Sequence, residues 1–273
     1  MTALFWHRRD LRIDDNKGLF EALKQNEIVH PIFIFDKSIL DKLPNNDQRI
    51  LFIYQEIESL KKSYQNLGSD LWVYYGEPSE IIPKIAQELK CSSVYFNNDY
   101  EPYALQRDQE IQLSLNKIKI EFIGNKDHVI FEKNEVLKDD GKPYTIFTPY
   151  SRKWKAILKD EHLFEYSIEK YSGNLAQIQQ KEALITLEDM GFESKVLHDF
   201  PDRIAKKEIL KNYHLSRNFP AVKGTSKLSL HLRFGTISVR KLATIALEQN
   251  ETYLNELIWR DFYQMIIFHF PKS

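Results

Sequence analysis

The sequence has a single cysteine and lacks any long apolar run. Cys91 is the only cysteine among 273 residues, so no disulfide can form within the chain, which agrees with a reducing compartment. No apolar run approaches the roughly 18 residues that a membrane-spanning helix needs. The first residues, MTALFWHRRDLR, also lack the charged start and apolar core of a signal peptide. We therefore expect a cytoplasmic globular protein with no membrane partner.

No GxGxxG motif follows the first predicted strand, so a dinucleotide is not expected at the first β-α turn. The first part of the chain nevertheless alternates β-branched or aromatic runs with helical patterns, which predicts an α/β fold with a doubly wound parallel sheet. Five strands are predicted at residues 3–6, 28–35, 71–75, 93–97 and 119–123. Four helices are predicted between them at residues 17–25, 47–66, 78–89 and 102–115.

The loop after the first strand carries three arginines and three aspartates. We expect them to form an internal ion-pair network that fixes the loop, which is a structural role: Arg8, Arg9, Asp10, Arg12, Asp14 and Asp15.

Hydrophobic periodicity fades from about residue 129 to 189, and only helical patterns follow. Those patterns predict helices at residues 199–213, 226–233, 239–249 and 253–268. We therefore predict three regions: an α/β domain at 1–130, a long interdomain connection at 131–190, and a helical domain at 191–273.

Charge is unevenly distributed along the chain. The formal net charge is −1, yet residues 203–241 hold ten Lys or Arg against one acid, Glu208, a local charge of +9 that leaves −10 elsewhere. Such a stretch is typical of a surface that neutralises a phosphate backbone, although a solvated helix surface has the same composition.

Two segments near the end of the sequence carry recognisable chemistry. In the first, GTSKLSLHLRFGTIS at 224–238, hydroxyl residues surround a predicted helix start, where free backbone N–H groups can hold a phosphate. An ordinary N-cap has the same pattern. In the second, ELIWRDFY at 256–263, four side chains share one helix face that suits a base, although such a stripe is also typical of a core with a surface ion pair: Glu256, Trp259, Arg260 and Tyr263.

With these two segments, the chain resembles the photolyase and cryptochrome family, and within it the bacterial class I photolyases that split cyclobutane pyrimidine dimers. The same resemblance extends to LFWHRRDLRIDDN at 4–16 and GKPYTIFTPYSRKW at 141–154. It implies that residues 191–273 form part of a helical domain holding FAD, that damaged DNA is the partner, and that an electron from light-excited reduced flavin splits the dimer. No metal is implied.

The resemblance also assigns roles to individual residues. Contacts to FAD, chiefly to its phosphates, are implied for Tyr213, Thr225, Ser226, Lys227, Leu228 and Ser229. Contacts to DNA are implied for Arg217, Glu256, Trp259, Arg260 and Tyr263. The catalytic pair is Glu256, expected to be buried and to donate a hydrogen bond to the pyrimidine edge, and Trp259, expected to pack on the flipped bases.

The family often carries a second, light-collecting chromophore: methenyltetrahydrofolate, a deazaflavin or a flavin. Asn45 in LPNNDQR and Glu101 in NNDYEP resemble the folate-contacting loops of some members. Loop capping is the alternative role for both residues.

Family members extend well beyond the ELIWRDFY motif. The chain therefore resembles a fragment or shortened member that lacks the C-terminal part of the FAD domain. A monomer is expected for the full-length protein, and an oligomer is the alternative for the chain as it stands. The alternative functions are a cryptochrome-type photoreceptor and a non-catalytic module that binds DNA or a chromophore.

Overall fold

A computed structural model describes residues 1–178, 183–194, 200–204 and 206–272 of the protein. The chain divides into two compact units. The sheet unit comprises Met1–Asn98, Gln106–Asn125 and Tyr166–Phe200, and the helical unit comprises Asp99–Leu105, Lys126–Glu165 and Pro201–Ser273. Within the described residues, no helix is long and apolar enough to cross a membrane.

The sheet unit is built on five parallel strands in the order β3-β2-β1-β4-β5, which confirms the predicted α/β class and doubly wound sheet. The strands are β1 (Thr2–His7), β2 (Ile28–Asp36), β3 (Trp72–Gly76), β4 (Ser93–Asn97) and β5 (Glu121–Asn125). β1 lies at the centre, where Ala3 pairs with both Val29 and Ser93. Its residues 3–7 are all buried, as expected of a parallel strand covered on both faces.

Five helices accompany the strands: α1 (Lys17–Gln25), α2 (Lys37–Leu40), α3 (Gln48–Asn66), α4 (Pro78–Glu88) and α5 (Pro102–Lys117). Their starts follow from local sequence. The Asn16 side chain accepts a hydrogen bond from the Leu19 amide at the start of α1, and Asp47 caps α3 through the Arg49 amide.

The charged loop after β1 is held by a buried polar network that includes Asp108 and Asn97 from outside the loop, and ion pairing among the loop's own charges stays a prediction. The Asp10 carboxylate accepts hydrogen bonds from the Arg8 amide at 2.6 Å and from Asn97 at 2.5 Å. The Arg8 guanidinium pairs with Asp108 at 2.7 Å. Burial alone would raise the pKa of Asp10, but the His7 charge and these hydrogen bonds lower it to about 2.

Among its described residues, the helical unit contains α6 (Phe147–Ile157), α7 (Lys207–Lys211), α8 (Tyr213–Ser216), α9 (Ser229–Phe234), α10 (Val239–Gln249) and α11 (Glu251–His269). Short 3-10 turns lie at Asp160–Leu163 in this unit and at Glu169–Asn174 and Glu188–Met190 in the sheet unit. α10 begins at the cap Ser238 and α11 at the cap Asn250, whose side chain accepts from the Tyr253 amide. The 19 residues of α11 span about 28 Å and its buried face forms much of the core.

The stretch predicted as an interdomain connection, residues 131–190, is not a separate region in the structure. One part of it belongs to the helical unit and the other part to the sheet unit. Residues up to 165 pack in the helical unit and include α6, whereas Tyr166 onward packs in the sheet unit. Long-range contacts explain this division, because Trp154 donates to Asp261 in one unit and Leu175 bridges to Val29 in the other. Such contacts leave no periodic signal in the sequence.

Two predicted helices differ from the structure. The helix predicted at 199–213 is replaced by the short α7 and α8, with residue 199 outside the described residues. The helix predicted to begin at Ser226 begins at Ser229 instead, because Lys227 has φ of 55° in the left-handed region, where a right-handed helix cannot continue.

Candidate functional site

A cleft of about 550 Å³ opens in the helical unit. All six residues predicted to contact FAD line it: Tyr213, Thr225, Ser226, Lys227, Leu228 and Ser229. Four of the five residues predicted to contact DNA also line it: Glu256, Trp259, Arg260 and Tyr263. Two distant parts of the sequence therefore meet at one opening.

One wall of the cleft is the 225–229 segment. Thr225, Lys227 and Ser229 are exposed, whereas Leu228 is buried beneath them. The segment is irregular, with Lys227 in the left-handed region, and leads into the six-residue helix α9, whose N-cap position makes no side-chain capping bond. The predicted phosphate-binding segment therefore lies before a short helix and contains the left-handed residue Lys227, instead of forming the helix start itself. Backbone N–H groups around a left-handed residue can also face an anion.

Within this wall, Ser226 is hydrogen-bonded to a residue of α11. Its hydroxyl accepts a hydrogen bond from the Tyr253 phenol at 3.2 Å, and its Oγ also accepts from the Leu228 amide at 3.4 Å. Tyr253 lines the cleft and was not predicted as a site residue. Its position at i−3 from Glu256 on the same helix is the signal that could have indicated it.

The second wall of the cleft is formed by α11. Arg217 forms an ion pair with Glu256 of this helix, in which the guanidinium Nη1 donates to Oε1. The side chains are 34% and 36% exposed. In this structure the Glu256 carboxylate is partly exposed and accepts from Arg217, and its hydrogen bond to a pyrimidine edge stays a prediction.

Trp259 stacks on one aromatic side chain and lies near a second. Its ring lies on Phe147 with centroids 3.7 Å apart and planes at 4°, and Tyr263 lies 5.4 Å away at 24°. Sequence reasoning missed Phe147, although it lies in the 141–154 motif. One face of the Trp259 indole is thus covered by the protein itself.

Arg260 and Asp261 connect α11 to neighbouring backbone. Arg260 donates to the carbonyls of His128 and, at 3.1 Å, Leu232. These hydrogen bonds hold α11 against neighbouring backbone. The contact of Arg260 with DNA stays a prediction.

Asp261 is 1% exposed and was not predicted as important. Its Oδ2 accepts from the amides of Ile130 and Phe131, each at 3.1 Å, and from the Trp154 indole at 3.0 Å. Burial raises the pKa of Asp261 to about 6, although these hydrogen bonds and the Arg260 charge act in the opposite direction. The carboxylate anchors the helix that carries the predicted catalytic pair.

Gln264 also lines the cleft, one turn beyond Arg260. Its amide oxygen is buried and has no hydrogen-bond partner among the described residues. A buried acceptor without a partner is unfavourable by about 1–3 kcal/mol, so this atom is a point where a bound molecule could donate. In the described part of the chain, no cluster of three His, Cys, Asp or Glu could hold a metal ion.

The basic stretch is less exposed than its composition indicated. At least four of its ten cations form ion pairs: Arg217 with Glu256, Arg233 with Glu101, Arg240 with Asp127, and Lys241 with Glu165. The Arg240–Asp127 pair is buried, with side chains 4% and 1% exposed. Part of the +9 charge is therefore neutralised inside the helical unit.

The two predicted antenna residues have protein partners. Asn45, exposed in the sheet unit, donates from Nδ2 to Glu193 at 3.0 Å. Glu101, in the helical unit, accepts from Arg233 at 2.7 Å. Contact of either residue with a chromophore stays a prediction.

Known proteins with similar sequences and folds identify the family. The DNA photolyase family model matches residues 3–167. The chain is 32% identical to a deoxyribodipyrimidine photo-lyase of a Synechococcus species, over 98% of this chain and 61% of that protein. It is also 31% identical to an uncharacterized 31.6 kDa protein of another Synechococcus strain, over 95% of this chain and 98% of that protein.

Among solved structures, the crystal structure of an archaeal photolyase from Sulfolobus tokodaii, described with two FAD molecules, has a TM-score of 0.78 and 26% identity. The matched region covers 99% of this chain and 60% of the archaeal photolyase chain. The chain belongs to the DNA photolyase family. It spans about 60% of the length of the curated photolyases that it matches.

Proposed function

We propose that this chain acts in the light-driven repair of cyclobutane pyrimidine dimers in DNA by electron transfer from reduced FAD, as part of a longer photolyase or as a shortened member of the family. The observation that carries the proposal is the cleft, where the 225–229 segment and the Glu256–Tyr263 face of α11 meet. Family membership supplies the reaction, and the cytoplasm is the proposed location.

The cleft has features that suit FAD. Its volume of about 550 Å³ lies within the usual range for small-molecule sites of about 300–1,000 Å³. We assign the phosphates to the 225–229 segment, where Lys227 is exposed and forms no ion pair with the described residues. Gln264 also lines the cleft, and its buried amide oxygen has no hydrogen-bond partner among the described residues. When bound, FAD would supply the electron that splits the dimer.

The chain's own residues would bind and orient the damaged DNA. We assign a backbone phosphate to Arg217 and the face of a flipped pyrimidine to Trp259. Base–aromatic stacking contributes about 1–3 kcal/mol per base. We assign the hydrogen-bonding edge of the pyrimidine to Glu256.

The test is flavin retention by the purified 273-residue chain. The chain is incubated with FAD, separated from unbound flavin by gel filtration and examined by visible absorption. A retained flavin spectrum supports the proposal and leads to an assay of light-driven repair on ultraviolet-irradiated oligothymidine. A colourless protein contradicts the proposal for this chain acting alone.

A non-catalytic module that binds DNA or an antenna chromophore is the second candidate. Salt-sensitive DNA binding without flavin retention would support this alternative, since phosphate contacts weaken steeply with salt. A cryptochrome-type photoreceptor would instead retain flavin and show no repair. In either case Asn45 and Glu101 remain our candidates for contacts to a folate, deazaflavin or flavin antenna.

A further inference from the structure

The ion pair between Arg217 and Glu256 joins two groups that the proposed function uses separately. Arg217 follows α8 and Glu256 lies on α11 at the cleft. The guanidinium of Arg217 also lies over the Tyr213 ring, 5.6 Å from its centroid, and donates from Nε to Asn218 at 3.4 Å. In the described part of the chain, Arg217 is the hydrogen-bond partner recorded for the Glu256 carboxylate.

A phosphate that binds Nη1 of Arg217 takes the donor that Glu256 uses. A phosphate that takes the guanidinium removes the partner of Glu256 and brings a second negative charge toward that carboxylate. Like charges held close together raise the free energy of binding. Contact with the phosphate backbone alone is therefore opposed by the loss of the ion pair.

A flipped pyrimidine changes this balance. The edge of thymine carries an N–H group that can donate to the Glu256 carboxylate and so replace the lost guanidinium. Intact duplex keeps its bases stacked and paired, and offers only phosphates. Damaged DNA can offer a phosphate to Arg217 and an N–H group to Glu256, whereas intact DNA offers only the phosphate.

We propose that the Arg217–Glu256 ion pair determines specificity by weakening the binding of undamaged DNA. This rests on the proposed function and names a discriminating role for the two residues. Specificity is a difference of two affinities, and an interaction that must be broken for the wrong ligand increases that difference as much as a new contact to the right one.

The experiment compares two duplex oligonucleotides of identical sequence, with and without one thymine dimer, bound in the dark and followed by fluorescence anisotropy over a salt series. Glu256→Gln removes the charge, keeps the side-chain size and releases Arg217. We expect the variant to bind undamaged DNA about two- to fivefold more tightly, the range that corresponds to a partly exposed ion pair. We expect no such gain for dimer-containing DNA, so the ratio of the two affinities decreases.

Glu251→Gln is the matched control. It lies on the same helix, removes the same charge and breaks a comparable ion pair, with Lys155 at 2.6 Å. The control should alter both affinities equally and leave their ratio unchanged. Arg217→Ala should weaken binding to both oligonucleotides, and circular dichroism and urea unfolding verify that each variant is folded.

The outcomes separate the inference from the function on which it rests. If the unsubstituted chain prefers dimer-containing DNA but Glu256→Gln leaves the ratio unchanged, or changes it no more than Glu251→Gln does, the specificity role is wrong and the proposed function stands. If the unsubstituted chain binds neither oligonucleotide, both are wrong.

Discussion

The ring of Phe147 lies almost parallel to the indole of Trp259, with centroids 3.7 Å apart and planes at 4°. Phe147 begins α6 and Trp259 lies in the middle of α11, so the stack joins two helices. Because one face of the indole is covered, a base can stack only on what remains of the ring. If Trp259 binds a base as we propose, Phe147 leaves only the rest of the indole for that contact.

Replacing Phe147 by leucine should disturb this stack. We expect Phe147→Leu to reduce the free energy of unfolding by about 0.5–1.5 kcal/mol beyond the lost apolar area, the usual value of an aromatic pair. Urea unfolding measures this, and a change in tryptophan fluorescence reports the altered indole. Phe147→Tyr keeps the ring and should behave like the parent chain, while Phe164→Leu, at a residue 62% exposed, controls for a surface Phe change.

Trp259→Ala should weaken the binding of DNA that contains a pyrimidine dimer. The stacking of one base contributes about 1–3 kcal/mol, so the affinity should decrease by roughly five- to 150-fold. Trp72→Phe in the sheet unit is a control for general loss of tryptophan. Unchanged lesion affinity in Trp259→Ala would exclude the stacking role.

The buried carboxyl of Asp261 should make stability depend on pH. Burial raises its pKa from 3.8 to about 6, so the folded chain holds the proton more tightly than the unfolded chain does. The contribution of Asp261 to stability is therefore greatest below pH 4, decreases as the pH rises to about 6 and is constant above. At about 1.36 kcal/mol per pKa unit, the decrease is about 3 kcal/mol.

Asp261→Asn isolates this effect because asparagine has no proton to lose and keeps an acceptor for the amides of Ile130 and Phe131. The difference in unfolding free energy, parent minus variant, should decrease between pH 4 and pH 7 in urea titrations. A difference that is the same at every pH would show that burial does not raise the pKa. Asp261→Ala should be more destabilising at every pH, since it leaves buried N–H groups unpaired.

Gly224 immediately precedes the 225–229 segment and lies against Ser216. A Cβ at this position would lie 2.5 Å from the Ser216 Cβ and 2.8 Å from its backbone carbon. We expect Gly224→Ala to displace the segment, reduce stability by about 1–3 kcal/mol and weaken the flavin retention that we propose. Gly173→Ala is the control, because a Cβ there meets nothing within 4 Å. Equal thermal stability of the two variants would contradict the prediction.

Local sequence determined much of the sheet unit. The alternation of apolar runs and helical patterns predicted all five strands, and the caps Asn16 and Asp47 fixed where α1 and α3 begin. The motifs at 224–238 and 256–263 likewise indicated the residues that line the cleft. These features depend on neighbours a few residues apart, which a sequence displays directly.

Tertiary structure alone decided the partners of those residues. Arg217 pairs with a carboxylate 39 positions away, and Asp261 binds amides and an indole more than 100 positions away. The left-handed turn at Lys227 delayed α9 to Ser229 despite a sequence typical of an earlier helix start. Such outcomes depend on burial and on groups that meet only after folding, and their free energies exceed the local preferences of the chain. The sequence therefore predicted many of the residues that line the cleft, and the fold determined which side chains are paired with one another.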